Sequence, residues 1–219
     1  MTTIVRSREM IRAHYEKVFG SKVPEYENLS GALSEKYFDL KSSIPRSRVL
    51  DLGYGNGKYT IDALRSGYNV DAVDLVDKSI FKSSVPKELL PNLNLIECDL
   101  SDFQFYDGHD ITLCIDVLHF LPKSIARRLI KDVEKSTNKG GGTLFRVFSN
   151  IERKTKEGAT LKFEDEAEFK TEELISFLYN TFQKWGDIRF TISKYSEHDQ
   201  VKKHTYFRSD VLEFVAVNR

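Results

Sequence analysis

An apolar strand that runs directly into alternating glycines leaves few folds open to a chain. The segment Val49-Leu50-Asp51-Leu52-Gly53-Tyr54-Gly55-Asn56-Gly57-Lys58 has this form. Glycine takes positive φ and lets another group approach the backbone closely, so Gly53, Gly55 and Gly57 predict a tight turn folded around a bound molecule. A helical pattern follows at once, which makes the segment a strand-turn-helix opening.

The rest of the chain repeats that alternation. Strands are predicted at about 47–52, 69–74, 92–97, 110–115 and 142–149, with helices at about 57–66, 78–89 and 122–137 between them. Alternating strands and helices predict a parallel sheet covered by helices on both faces. Two helical patterns, about 6–19 and 29–42 with a break at Pro24, precede the sheet as a cap. A helix at about 171–184 and two strands near 187–194 and 205–217 close it. The stretch 151–169 is rich in Lys and Glu with weak periodicity, which predicts an exposed loop or lid.

Charge narrows the partners. The 33 basic and 33 acidic residues cancel, so no net field draws the chain to nucleic acid or to an acidic membrane. Cys98 and Cys114 sit in apolar stretches without the spacing of a zinc site, and no metal site is expected. The opening Met1–Arg6 lacks a signal-peptide core, and no apolar run approaches the roughly 20 residues of a membrane span. These features imply a soluble, cytoplasmic protein in a reducing compartment. Cys98 and Cys114 read as core residues.

A nicotinamide dinucleotide would require G-x-G-x-x-G, but the third glycine position holds Lys58 or Thr60. The order present is D-x-G-x-G-x-G. This resembles the first motif of the class I S-adenosylmethionine (SAM) methyltransferases, and the likeness spans roughly residues 47–150. Asp74 ends the second strand where that family holds the ribose hydroxyls, and Asp99 follows the third where it meets the adenine amine. Cys114-Ile115-Asp116-Val117-Leu118-His119-Phe120 resembles the segment lining the methionine end and the acceptor entrance. Lys139-Gly140-Gly141-Gly142 resembles the Pro-Gly-Gly turn that opens the fifth strand, with Lys for Pro. The resemblance implies a cofactor site of Asp51, Gly53, Tyr54, Gly55, Gly57, Asp74, Leu75, Asp99, Leu100, Ile115 and Asp116. It also implies a doubly wound, seven-stranded, mostly parallel α/β sheet with an antiparallel last strand, in a domain over 45–219 behind the cap at 1–44.

The place after the fourth strand reads Ile115-Asp116-Val117-Leu118, unlike the Asn/Asp-Pro-Pro-Tyr of DNA base-amino methyltransferases. A small-molecule acceptor is therefore expected. Within the class the chain is similar to the tellurite-resistance (TehB-like) methyltransferases, through Gly67–Asp74 with Ser79-Ile80, Phe169-Lys170 with Glu173-Leu174, and Glu197-His198. That likeness implies a tellurite- or selenite-type oxyanion as acceptor, with His198, His119 and Arg146 as candidate catalytic residues and His204 as a competitor for His198. Tyr15 and Tyr26 in the cap are candidates to cover the site. Another small-molecule O-, N- or S-methyl acceptor, and a SAM-binding protein without catalysis, remain as alternatives.

Overall fold

The computed structural model describes residues 2–7, 9, 10, 13, 29, 31–44, 48–199 and 204–219. After a short β1 (Thr3–Arg6), the run around Leu50 forms β2 (Arg48–Leu52), buried on both faces as a continuous apolar strand requires. The main sheet adds β3 (Asn69–Asp74), β4 (Leu93–Glu97), β5 (His109–Ile115), β6 (Thr137–Arg153), β8 (Asp187–Asp199) and β9 (His204–Val217). Its order is β4-β3-β2-β5-β6-β9-β8. The first five are parallel and β9 runs against both of its neighbours, so the last strand of the chain is the reversed one.

Helices cover both faces. On one, α1 (Ala32–Ser43), α2 (Lys58–Arg65) and α3 (Lys78–Ser84) bury Leu33, Tyr37, Leu40, Ile61, Leu64 and Phe81. On the other, α4 (Lys123–Ser136) presents Ala126, Leu129, Ile130 and Val133, a helical stripe, beside Leu174, Leu178 and Phe182 of α5 (Thr171–Phe182). The chain leaves β2 toward β3 on one side and returns to β5 on the other. That reversal opens a crevice at the carboxyl ends of β2 and β5, where open α/β sheets bind ligands.

Three segments differ from the sequence expectation. The helix foreseen at 78–89 ends at Ser84, because the residue before Pro86 is disfavoured in α geometry, and a 3-10 turn follows over Lys87–Asn92. Arg6 ends β1, residues 9, 10 and 13 are helical, and the remainder of the 6–19 pattern lies outside the described residues. The charged stretch at 151–169 is not a plain exposed loop. β6 continues to Arg153, and β7 (Thr160–Phe163) pairs in parallel with β1. Ala167 and Phe169 are buried, and Arg153 binds Glu166 through two bonds of 2.6 and 2.7 Å while lying 4.3 Å over the Phe163 ring. This one pair of the segment's charges is neutralised inside, while Glu152, Lys156, Glu157, Lys162, Glu164, Asp165 and Glu168 stay exposed.

Four strands are fastened by one carboxylate. Asp71 in the middle of β3 accepts from Arg48 Nε of β2 at 2.5 Å and from Asn94 Nδ2 of β4 at 2.8 Å, and its Oδ2 lies 2.9 Å from His109 Nε2 of β5. Burial alone would raise its pKa, but these partners outweigh it and hold the carboxyl well below the usual range. A depressed carboxyl adds stability that is complete above its unfolded pKa of about 4 and fades as pH falls below it. Asp71→Asn is therefore expected to cost about 2 kcal/mol in urea unfolding at pH 7, less than a fully buried pair because Arg48 is partly exposed. The deficit should shrink as the pH is lowered below about 4.

Candidate active site

The glycine turn is built from backbone contacts that exclude side chains. Gly53, Gly55 and Gly57 have φ of +72°, +54° and +72°. Gly53 N–H donates to the Val73 carbonyl at 2.7 Å, and Gly57 N–H to the Tyr54 carbonyl at 2.7 Å. A Cβ on Gly53 would lie 2.3 Å from Val117, and one on Gly57 would lie 2.0 Å from the Phe81 ring. Asp74 at the end of β3 completes the turn, accepting from Gly55 N–H at 2.9 Å and from Val76 N–H at 3.2 Å. It is not the cap of α3, which is Asp77, accepting from Ser79 N–H at 2.8 Å.

A cavity of about 580 Å³ opens above this turn. Asp51, Gly53, Tyr54 and Gly55 line it from β2 and the turn, Asp74 and Leu75 from β3, Asp99 and Leu100 from the end of β4, and Ile115 and Asp116 from the end of β5. His119 and Arg146 lie in the same wall. Gly57 does not, and its part is to let the turn pass Phe81 on the way into α2. His198 is also outside the lining, exposed on β8 with Nε2 3.0 Å from Ser196 Oγ. His204 begins β9 and its side chain lies outside the described residues, as do Tyr15 and Tyr26.

The sequence reading missed several wall residues. Phe148 follows Arg146 by two positions on β6, so strand alternation puts both on one face, and that was the available signal. Lys58 and Phe120 close motifs already singled out but were not named as site residues, and Tyr59 follows the first of those motifs. Glu9 comes from the amino-terminal segment. Cys98, read as core, is half-buried in the wall, with its thiol 3.1 Å from the Asp99 carbonyl.

The electrostatics divide the cavity. Asp51 is 3% exposed, and its carboxyl is pushed up to about 6, chiefly by burial and also by the Asp74 charge, against the Thr60 hydroxyl that donates to it at 2.6 Å. Burial likewise raises Asp74 against the opposing N–H donors of the turn. At the other end Asp116 holds Arg146 by both carboxylate oxygens, with Arg146 Nε at 2.7 Å. Asp116 sits at φ +62°, a conformation uncommon for a side-chain-bearing residue, and donates its N–H to the Arg146 carbonyl at 2.9 Å. His119 is 2% exposed, and burial, followed by the charges of Arg153 and Arg146, lowers its pKa to about 3. It is a neutral imidazole at physiological pH.

These residues fit SAM. The ligand's sulfonium and ammonium are cations, and five carboxyl side chains line the cavity: Glu9, Asp51, Asp74, Asp99 and Asp116. Each Asp74 oxygen accepts one N–H and has further acceptor capacity, as a ribose diol needs. Tyr54 Oη is buried without a hydrogen-bond partner among the described residues.

A family model described as tellurite resistance protein TehB matches residues 25–199. Among solved structures, TehB from Haemophilus influenzae aligns at TM-score 0.60 and 18% identity, over 94% of this chain and 67% of that one. The N-methyltransferase NodS from Bradyrhizobium japonicum, in complex with S-adenosylhomocysteine (SAH), aligns at 0.58 and 14% identity over 94% and 97%. The 1,6-didemethyltoxoflavin-N1-methyltransferase of Burkholderia thailandensis aligns at 0.58 and 19% over 96% and 88%. At such identities these likenesses establish a shared methyltransferase fold. No curated protein matches the sequence.

Asp51 carries a testable cost. Its carboxyl is raised, so the folded form binds the proton more tightly than the unfolded form, and stability falls as pH rises from about 4 to about 6. Asp51→Asn is expected to stabilise the ligand-free protein by about 2–3 kcal/mol in urea unfolding at pH 7.5, with the gain gone near pH 4. The same variant should bind SAM more weakly in calorimetry.

Proposed function

The chain belongs to the tellurite resistance protein TehB family of SAM-dependent methyltransferases, and we propose that it transfers the SAM methyl group to a small acceptor beside Asp116, His119, Arg146 and Phe148. The observation carrying this reading is the convergence of the glycine turn and three strand-end acids, Asp74, Asp99 and Asp116, on one cavity. When bound, SAM supplies a methyl group already activated by the positive sulfur. The protein's own share is then to hold, align and keep dry.

In this reading Asp74 accepts the ribose hydroxyls, Asp99 accepts from the adenine amine, and Leu75 and Leu100 cover the ring. Asp51, Gly53, Tyr54, Gly55, Ile115 and Asp116 surround the methionine end, and Gly57 shapes the turn from outside the lining. The cap of residues 1–44 contributes Glu9 to a site otherwise carried by 45–219. His119 serves as a neutral hydrogen-bonding group and not as a general base, since an effective base has a pKa near the working pH. His198, exposed on β8, receives no part in transfer.

For the acceptor, the family's name supports a tellurite-type oxyanion, which would need a cationic donor. Arg146 is the candidate donor, but it is engaged by Asp116, so an oxyanion would have to compete with that carboxylate. The relatives named for N-methyl transfer support an organic acceptor as the second reading. Zero net charge supports the absence of a nucleic-acid substrate. Cys98 and Cys114 are both free, which supports a reducing, cytoplasmic setting.

Asp74→Ala is expected to weaken SAM binding by about 100-fold or more in calorimetry, the loss of two hydrogen bonds to a charged acceptor. Unchanged affinity in a folded variant would remove the ribose assignment. A second outcome concerns pH. Because His119 stays neutral, kcat/KM should show no limb attributable to a histidine between pH 6 and 8, a range set by the ordinary imidazole pKa of about 6.5.

A further inference from the structure

The acceptor end of the cavity is built from rings. His119 lies 4.1 Å from Phe120 and 4.9 Å from Phe148, edge-on to the latter at 81°. Phe148 in turn meets Tyr195 at 5.6 Å and Phe207 at 5.8 Å, and Tyr195 meets Phe207 at 5.9 Å. His119, Phe120 and Phe148 line the cavity, whereas Tyr195 is 42% exposed, so an aromatic path leads from surface to interior. Rings of this kind recognise a flat partner by stacked or edge-to-face contact.

Charge limits that partner further. Among the described residues, five that carry carboxyls line the cavity against two cationic ones, Lys58 and Arg146, and Asp116 already binds Arg146. An anion would enter an unfavourable field. No side chain among the described residues at this end is placed to remove a proton at neutral pH: His119 is held far below its usual range, and Asp116 is tied to Arg146. The His119 Nδ1 is nonetheless buried without a hydrogen-bond partner among the described residues. A neutral imidazole has one donor and one acceptor to offer a bound molecule.

We propose that the methyl acceptor is a flat, uncharged aromatic base with a free lone pair, its ring against Phe148 and its polar edge toward His119. This rests on the methyltransferase reading above. The acceptor's lone pair forms the new bond to the methyl carbon, the carbon–sulfur bond breaks, and its electron pair remains on sulfur. No proton moves, and the positive charge passes from sulfur to the methylated base. The acidic lining therefore stabilises one cation before transfer and one after it. An anionic acceptor would abolish the charge that lining is built to hold.

The test uses the full chain and begins with calorimetric binding of SAH. Isoquinoline, quinoline and benzimidazole are then titrated into the SAH-saturated protein, beside 2-naphthoate as a flat anion and tellurite as a compact one. At least one base should bind about 10-fold or more tightly than either anion, and the corresponding N-methyl cation should be found by mass spectrometry when SAM replaces SAH. Phe148→Leu, which keeps apolar volume and removes the ring, should weaken that base about 5-fold or more with SAH affinity held within twofold. Tyr195→Ser, at an exposed position, should weaken it with no loss of thermal stability. Tighter binding or faster turnover of tellurite or naphthoate would overturn the proposal, and so would failure of all three bases to bind. Failure of SAH itself to bind would instead remove the methyltransferase reading beneath it.

Discussion

The hydrogen bond from Gly53 N–H to the Val73 carbonyl sets the direction in which the chain leaves β2, and the site follows from that direction. It draws the turn across the end of β3, where Asp74 accepts from Gly55 and Val76. Asp74 thereby has two tasks, closing the turn and facing the cavity with its remaining acceptor capacity. Neither task tolerates bulk nearby: Val117 packs where a side chain on Gly53 would go, and Phe81 where one on Gly57 would go. The positive φ values are the local cost of bringing two strand ends and a helix start to one ligand.

A second cost is electrostatic. Burial raises the carboxyls of Asp51 and Asp74, and the Asp74 charge raises Asp51 further, which opposes folding of the ligand-free protein. Asp116 adds backbone strain at the same site. Elsewhere charge is handled differently. Asp71 ties β2, β3, β4 and β5, and Asp210 accepts from Lys194 Nζ, Thr171 Oγ1 at 2.6 Å and Asn150 Nδ2 at 2.8 Å, fastening the start of α5 to the sheet. Asp71 and Asp210, with full complements of donors, are held below the usual carboxylate range, whereas burial raises Asp51 and Asp74, which face the cavity. This contrast in satisfaction marks the site independently of any motif.

Much of this was legible in the sequence, and for local reasons. A strand buried on both faces shows as an apolar run, a positive φ as a glycine, and a cavity-facing acid as a carboxylate that ends a strand, which is why Asp51, Gly53, Gly55, Asp74, Asp99 and Asp116, named from the sequence, all line the cavity. Gly57, named with the cofactor site, lies outside the cavity lining and against Phe81, a difference that residue type alone does not carry. The pairing of β1 with β7 was hidden because parallel strands far apart in sequence leave no local signal. Arg153 and Glu166 misled for the opposite reason: each reads as solvated until the partner is known. His198 was favoured by its neighbours in sequence, whereas register puts it on an edge strand away from the cavity.

The two ends of the cavity are built by different means, and this bears on how the acceptor is chosen. The cofactor end depends on short strands, β2 and β4 of five residues and β3 of six, whose carboxyl ends stop at the crevice. The other end draws on longer strands: β6, β8 and β9 run for 17, 13 and 14 residues, with Arg146 and Phe148 of β6 in the cavity wall and Tyr195 of β8 and Phe207 of β9 packed against Phe148. Arg146 pairs with Ile115 of β5, and beyond it the register of this stretch is set by β6, β9 and β8 pairing with one another. Phe148 and the Arg146–Asp116 pair thus line the cavity apart from the turn that Asp74 closes.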